Sequence, residues 1–140
     1  APESSPADAK TSATAKKDES EKEPIRQGPQ RLVAGDHGVG KLIPDLEMTD
    51  VEGRSFRLSD LGKSRAVVIA FTNTTCPICK KYAPTLASLE KEFADRKVTF
   101  IFVNPTSSDK DADIQAAIKS QGLKGHYVRD VEGRIASVLG

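Results

Sequence analysis

Apolar and polar residues alternate along Ile43-Pro44-Asp45-Leu46-Glu47-Met48-Thr49-Asp50, and again along Ser55-Phe56-Arg57-Leu58 after Val51-Glu52-Gly53. A period of two lays alternate side chains on one face of a strand, and the glycine between the two runs supplies a turn, so the pattern predicts a β-hairpin. Ser59-Asp60-Leu61-Gly62 then punctuates the chain. The β-branched run Ala66-Val67-Val68-Ile69-Ala70-Phe71 has no alternation, which predicts a strand covered on both faces and central in its sheet. Ile78, Tyr82, Leu86, Leu89 and Phe93 recur at spacings of four, four, three and four, one apolar stripe on a sheet-packing helix from Pro77 to Asp95. Pro84 inside it lacks a backbone donor and predicts a kink or local break.

Val98 to Val103 reads as a second apolar strand and Asn104-Pro105-Thr106-Ser107-Ser108 as a loop. An Asp-rich start, then Ile114, Ala117, Ile118 and a Gly122 stop, predicts a second helix. A short strand at His126 to Arg129, a turn from Asp130 to Gly133 and a helical turn through Ile135, Val138 and Leu139 follow. The order β, α, β, α implies an α/β fold, with a sheet parallel at its core and flanked by helices. Asp-Val-Glu-Gly-Arg occurs at 50–54 and at 130–134. The copies are too far apart for a solenoid repeat, and both fit a tight turn in which glycine takes a positive φ.

Before this patterned region, residues 1–35 are rich in Pro, Ala, Ser, Thr, Lys and Glu, with no run of large apolar residues. Such a segment cannot offset its ordering entropy by burial, and it is expected to be a disordered arm or linker ahead of a single domain over 36–140. Over all 140 residues, 21 basic side chains face 20 acidic ones, which gives no electrostatic argument for nucleic acid or an anionic membrane as partner. The longest apolar run falls far short of the roughly 20 residues of a membrane-spanning helix.

The chemistry is concentrated in Cys76-Pro77-Ile78-Cys79, the only two cysteines of the chain. They close too short a loop to staple a domain, so their spacing points to redox or metal chemistry. Cys76 is expected where the strand hands over to the helix, with Pro77 at the first helical position. Free N–H groups and the positive end of the helix dipole there favour a Cys76 thiolate. Cys79, one turn on, can then resolve a mixed disulfide formed at Cys76. Pro77 and Ile78 carry no charge, so the expected couple is moderately reducing to intermediate, away from the most oxidising dithiols at about −120 mV. Lys80 and Lys81 could add positive potential, although exposed lysines are usually just solvated. Half a zinc site would need two further ligands, and His37 and His126, the only histidines, lack the spacing of a second pair. Two unreactive buried cysteines are the other alternative. No cofactor or metal is expected.

Strand, C-x-x-C and helix proline together resemble a thioredoxin-like protein of the redoxin type, similar to TlpA- and ResA-like thiol-disulfide oxidoreductases. The resemblance runs from Gly40 to Gly140. Ile43-Pro44-Asp45-Leu46 resembles the family's first strand, Gly53 its hairpin turn, Leu58-Ser59-Asp60-Leu61 the segment before the first core strand, and Asp130-Val131-Glu132-Gly133 its late D-x-x-G turn. The resemblance implies that Cys76 and Cys79 are the attacking and resolving cysteines and that Pro84 bends the first helix. It implies as partners protein disulfide substrates or redox partner proteins, in a monomer of an extracytoplasmic compartment, tethered through the N-terminal arm.

Three departures stand against the family pattern. Thr75 precedes Cys76 where the family usually has Trp. Ala70 occupies the position of a buried acidic or amide residue, leaving no evident partner for the Cys79 proton. The family's cis-proline strand would begin beyond Gly140, so the chain reads as a domain incomplete at its C-terminus, with a bare sheet edge and an apolar face. Three other functions share the fold. A peroxiredoxin-type peroxidase would have threonine where Asn73 stands. A Sco-type copper-delivery module uses three residues between its cysteines, although soft thiolates suit Cu(I). An interaction module would have lost catalysis altogether.

Overall fold

The computed structural model describes residues 31–140, so the expected disordered arm lies almost wholly outside the described residues. Val33–Gly140 forms one compact unit. It opens with a 3-10 turn at Ala34–His37. The predicted hairpin forms from β1 (Glu47–Thr49) and β2 (Ser55–Arg57), antiparallel, with Met48 opposite Phe56. A 3-10 turn at Leu58–Leu61 leads to β3 (Ala66–Phe71), and α1 (Pro77–Phe93) follows. The chain continues through β4 (Val98–Asn104), α2 (Asp111–Gln121), β5 (His126–Arg129) and α3 (Arg134–Leu139). Strands β3, β4 and β5 form a parallel sheet in that order.

The period of two in β4 divides the core. Ile101 and Val103 point to one face, where Leu46, Met48, Val128 and Ile135 bring in the hairpin and α3. Phe100 and Phe102 point to the other, where Ile114, Leu123 and Tyr127 join Leu86, Ala87 and Phe93 of α1. Each face of the sheet is thereby covered by its own layer.

Two expectations are corrected here. The central strand is β4, not β3. β4 has a partner on each side and its residues Phe100 to Asn104 are buried, whereas β3 has no strand on its outer side among the described residues. Val68 and Phe71 of β3 are therefore exposed, on opposite faces. β3 thus has an unpaired edge among the described residues, but its exposed apolar side chains are split between two covered faces and do not form the single bare apolar face expected from the sequence. The second correction concerns α1. Its one fully buried residue is Ala83, and Leu86, Ala87 and Phe93 complete the face that meets the sheet. Ile78, Tyr82 and Leu89 of the predicted stripe are exposed. Pro84 makes no local break, the helix being continuous from Pro77 to Phe93, although residue 84 has no N–H to donate.

Both Asp-Val-Glu-Gly-Arg copies form the expected turn. Gly53 (φ 84°) and Gly133 (φ 69°) take the left-handed conformation, and each donates its N–H to the carbonyl of the aspartate three residues earlier. The aspartates themselves are buried. Asp50 Oδ1 accepts the N–H groups of Glu52 and Arg54 at 3.0 Å each, while Asp130 accepts those of Ile135 and Ala136, also at 3.0 Å. Asp50 also bridges to Val128, and the Val51 N–H donates to the Tyr127 carbonyl at 2.9 Å, which docks the hairpin on β5.

Candidate functional site

The parallel ladder runs one residue past β3: the Thr72 N–H donates to the Val103 carbonyl at 2.9 Å. A three-residue loop, Asn73-Thr74-Thr75, then carries the chain to α1. Cys76 is the N-cap, with extended backbone (φ −71°, ψ 121°), and Pro77 is the first helical residue. The Asn73 side chain fixes the approach, its Oδ1 accepting the Cys76 N–H at 2.7 Å. The Lys80 N–H closes the first helical bond on the Cys76 carbonyl at 3.1 Å. The strand-to-helix junction expected for Cys76 is thus present.

Cys76 and Cys79 are both half-buried, and both thiols are free. The Cys76 side chain closes no capping hydrogen bond as a thiol. As a thiolate it is favoured by hydrogen bonding from the Cys79 backbone N–H first, then from the Cys79 thiol and the Ile78 N–H. These hold its pKa below the ordinary cysteine value against a desolvation that pushes it up. The first turn of α1 contains no acidic residue to oppose the negative charge. Lys80 and Lys81 are exposed. Thr75, where the family usually has an aromatic residue, is exposed as well, but Ile78 and Tyr82 stand open to solvent one turn apart on α1.

Behind the dithiol loop lies a polar cluster that the sequence pattern does not announce. Asn104, the last residue of β4, is completely buried. Its Oδ1 accepts the Thr106 N–H at 2.8 Å, and its Nδ2 donates to Asp109 Oδ2 at 2.8 Å and to the Tyr127 hydroxyl at 3.1 Å. Asp109, in the loop before α2, is 2% exposed. Its Oδ2 also accepts the Thr74 N–H at 2.7 Å, while its Oδ1 is buried without a partner. Burial pushes the Asp109 pKa up, but hydrogen bonds from Asn104 and Thr74 and the charge of Arg129 outweigh it, and the net shift is downward. Arg129 of β5 holds the same loop, donating from Nη2 to the Asp109 carbonyl at 2.6 Å and from Nη1 to Asp111 at 2.9 Å. Burial raises the Tyr127 pKa, and the negative charge of Asp109 raises it further against the hydrogen bond from Asn104.

The structure places Cys76 and Cys79 at the expected start of α1, while the sequence pattern does not point to the hydrogen bonds of Asn73, Thr74, Asn104, Asp109 and Tyr127 around that loop. The usable signal was an Asn ending an apolar strand, since a fully buried amide must have partners. Ala70, the position of the family's buried polar residue, packs into the helix-side apolar cluster. Among the described residues no three His, Cys, Asp or Glu side chains gather as a metal site.

Thiol-disulfide oxidoreductase ResA of Bacillus thuringiensis is 28% identical over 102 residues, 73% of this chain and 57% of the relative. The chain therefore spans little more than half the length of that relative. Among solved structures, a secreted Mycobacterium tuberculosis disulfide oxidoreductase homologous to E. coli DsbE superposes with a TM-score of 0.56 at 24% identity, over 66% of this chain and 65% of that one. Peroxidoxin BcpB of the same organism superposes with a TM-score of 0.61 at 26% identity, over 72% and 64%. The fold is thioredoxin-like, and with the AhpC/TSA family model matching residues 39–140, the chain belongs to the AhpC/TSA family.

Proposed function

We propose that this chain is a thiol-disulfide oxidoreductase that exchanges a Cys76–Cys79 dithiol or disulfide with protein or small-thiol partners. The observation that carries the reading is the placement of Cys76 at the N-cap of α1, where backbone N–H groups favour its thiolate and Cys79 sits in the first turn. In the reducing direction the Cys76 thiolate attacks one sulfur of a substrate disulfide, and the departing sulfur takes up a proton. Cys79 then loses its proton and attacks the Cys76 sulfur. The second substrate thiol is released, two electrons have passed to the substrate, and Cys76–Cys79 is left as a disulfide.

The described residues contain no helix long and apolar enough to cross a membrane. Likeness to the protein described as secreted supports an extracytoplasmic location, with residues 1–35 as an arm or tether and 36–140 as the redox domain. Protein partners suit the site because Ile78 and Tyr82 offer exposed apolar contact beside the sulfurs.

The test is reduction of a fluorescent mixed-disulfide probe by the reduced chain. The native chain should turn the probe over, Cys76→Ser should lose at least about a hundredfold in rate, and Cys79→Ser should accumulate the mixed disulfide. Turnover that survives Cys76→Ser sinks the assignment, and an equilibrium potential near −120 mV sinks the expected reducing-to-intermediate poise. The likeness to a peroxidoxin favours one second reading, a thiol peroxidase using Cys76. Against it, Asn73 stands where the peroxidase signature has threonine, and its Oδ1 already occupies the Cys76 N–H. Thiol-dependent peroxide consumption lost in Cys76→Ser would favour the peroxidase over disulfide exchange.

A further inference from the structure

We propose that Asp109 is a positioning residue for the dithiol, its buried carboxylate clamping the Thr74 backbone so that the loop delivers Cys76 to the N-terminus of α1. The clamp is built from four elements. β5 supplies Arg129, whose Nη2 donates to the Asp109 carbonyl at 2.6 Å and fixes where the loop presents this residue. β4 supplies Asn104, whose Nδ2 orients Asp109 Oδ2 at 2.8 Å. The loop before α2 supplies the carboxylate, and the loop before α1 supplies the Thr74 N–H at 2.7 Å.

Thr74 lies two residues ahead of Cys76. Asn73, the residue before Thr74, takes the Cys76 N–H on its Oδ1, so one short segment is held twice, once from within and once from Asp109, 35 residues later in the chain. What the segment must hold is demanding. The Cys79 and Ile78 N–H groups favour a thiolate only if the sulfur lies over the open helix end, and hydrogen bonds weaken steeply with misalignment. A bond to a charged acceptor is shorter and roughly twice as strong as a neutral one, and burial keeps water from competing with it.

This inference rests on Cys76 being the reactive thiol, but its test does not need disulfide exchange. The rate of Cys76 alkylation by iodoacetamide, followed by mass spectrometry in a Cys79→Ser background, reports thiolate fraction directly across pH. Asp109→Ala should move the profile to higher pH and slow alkylation at pH 6.5 by about five- to tenfold, because less thiolate is present. Asp109→Asn keeps an acceptor oxygen for Thr74 and should restore most of the rate. Thr74→Pro, which deletes the donor, should slow alkylation as Asp109→Ala does, and the double variant should be no slower than either alone.

Unchanged profiles in Asp109→Ala, additive losses in the double variant, or failure of Asp109→Asn to recover would each overturn the clamp. If the alanine variant does not fold, hydrogen exchange of the unsubstituted protein decides. A Thr74 amide protected well above its free-peptide rate supports the clamp, and exchange at that rate overturns it. Loss of exchange activity with the alkylation shifts intact would refute the proposed function and leave the clamp standing.

Discussion

At the scale of single residues, the Cys76 pKa is lowered by the groups that can donate to its sulfur. The backbone N–H of Cys79 leads, the Cys79 thiol comes second and the Ile78 N–H third. Cys79→Ala deletes only the second of these. The Cys76 pKa should therefore rise in that variant yet stay below the ordinary cysteine value of about 8.5, since the backbone donors remain. A pH profile of Cys76 alkylation checks this, and a profile displaced to lower pH would contradict it. The same shift has a consequence for stability. A thiol whose folded pKa lies below its unfolded value stabilises the reduced protein increasingly as pH rises from the folded value to about 8.5, with no further gain above it. The disulfide form has no such titration. Urea unfolding of the two forms should thus show the reduced protein gaining on the oxidised one across that interval.

At the scale of elements, α1 shows what a hydrophobic pattern does and does not determine. Ile78, Tyr82, Leu86, Leu89 and Phe93 form a helical stripe, and the helix is there from Pro77 to Phe93. Yet the face against the sheet turns on Ala83 and Ala87, small residues that let the helix come close, while Ile78, Tyr82 and Leu89 remain exposed. Periodicity gives the phase of large side chains; which stripe is buried depends on what lies opposite. Ala83→Leu should consequently cost about 1–3 kcal/mol by overpacking, and Tyr82→Ser no more than about 0.5 kcal/mol, both read from urea unfolding midpoints. Equal costs would mean that the predicted stripe, not the alanine face, meets the sheet.

β3 repeats the lesson, because its unbroken apolar run reads as a central strand but neighbours alone make a strand central, and β4 has two. The C-x-x-C was legible because its signal is local, two cysteines and a proline four polar residues after an apolar run. Asn104 and Asp109 were not, because Asn-Pro-Thr-Ser-Ser-Asp has the composition of any turn, and only the fold carries Asp109 to the Thr74 N–H.

At the scale of the whole molecule, the hairpin and the dithiol loop are joined through β5. The Tyr127 carbonyl receives the Val51 N–H from the hairpin side, and the Tyr127 hydroxyl receives Asn104 Nδ2 from the side of the dithiol. The two ends of this connection are each anchored by a buried aspartate held below its usual pKa. For Asp50, burial pushes upward and the hydrogen bonds of the Arg54 and Glu52 N–H groups and the Arg54 charge prevail; Asp109 is held by Asn104, Thr74 and Arg129. A carboxylate with a depressed folded pKa contributes stability that is complete above its unfolded value of about 3.9 and is lost as pH falls through the folded one. The unit should therefore keep its urea midpoint from pH 7 down to about 5 and lose stability steeply below about 4. Asp50→Asn removes one of these titrations while keeping an acceptor oxygen in the turn. It should cost about 1–3 kcal/mol at pH 7, the worth of a hydrogen-bonded charge over a neutral group, and should flatten the acid limb. A cost at pH 7 that persisted unchanged at pH 3 would show that the turn needs the shape of the aspartate and not its charge.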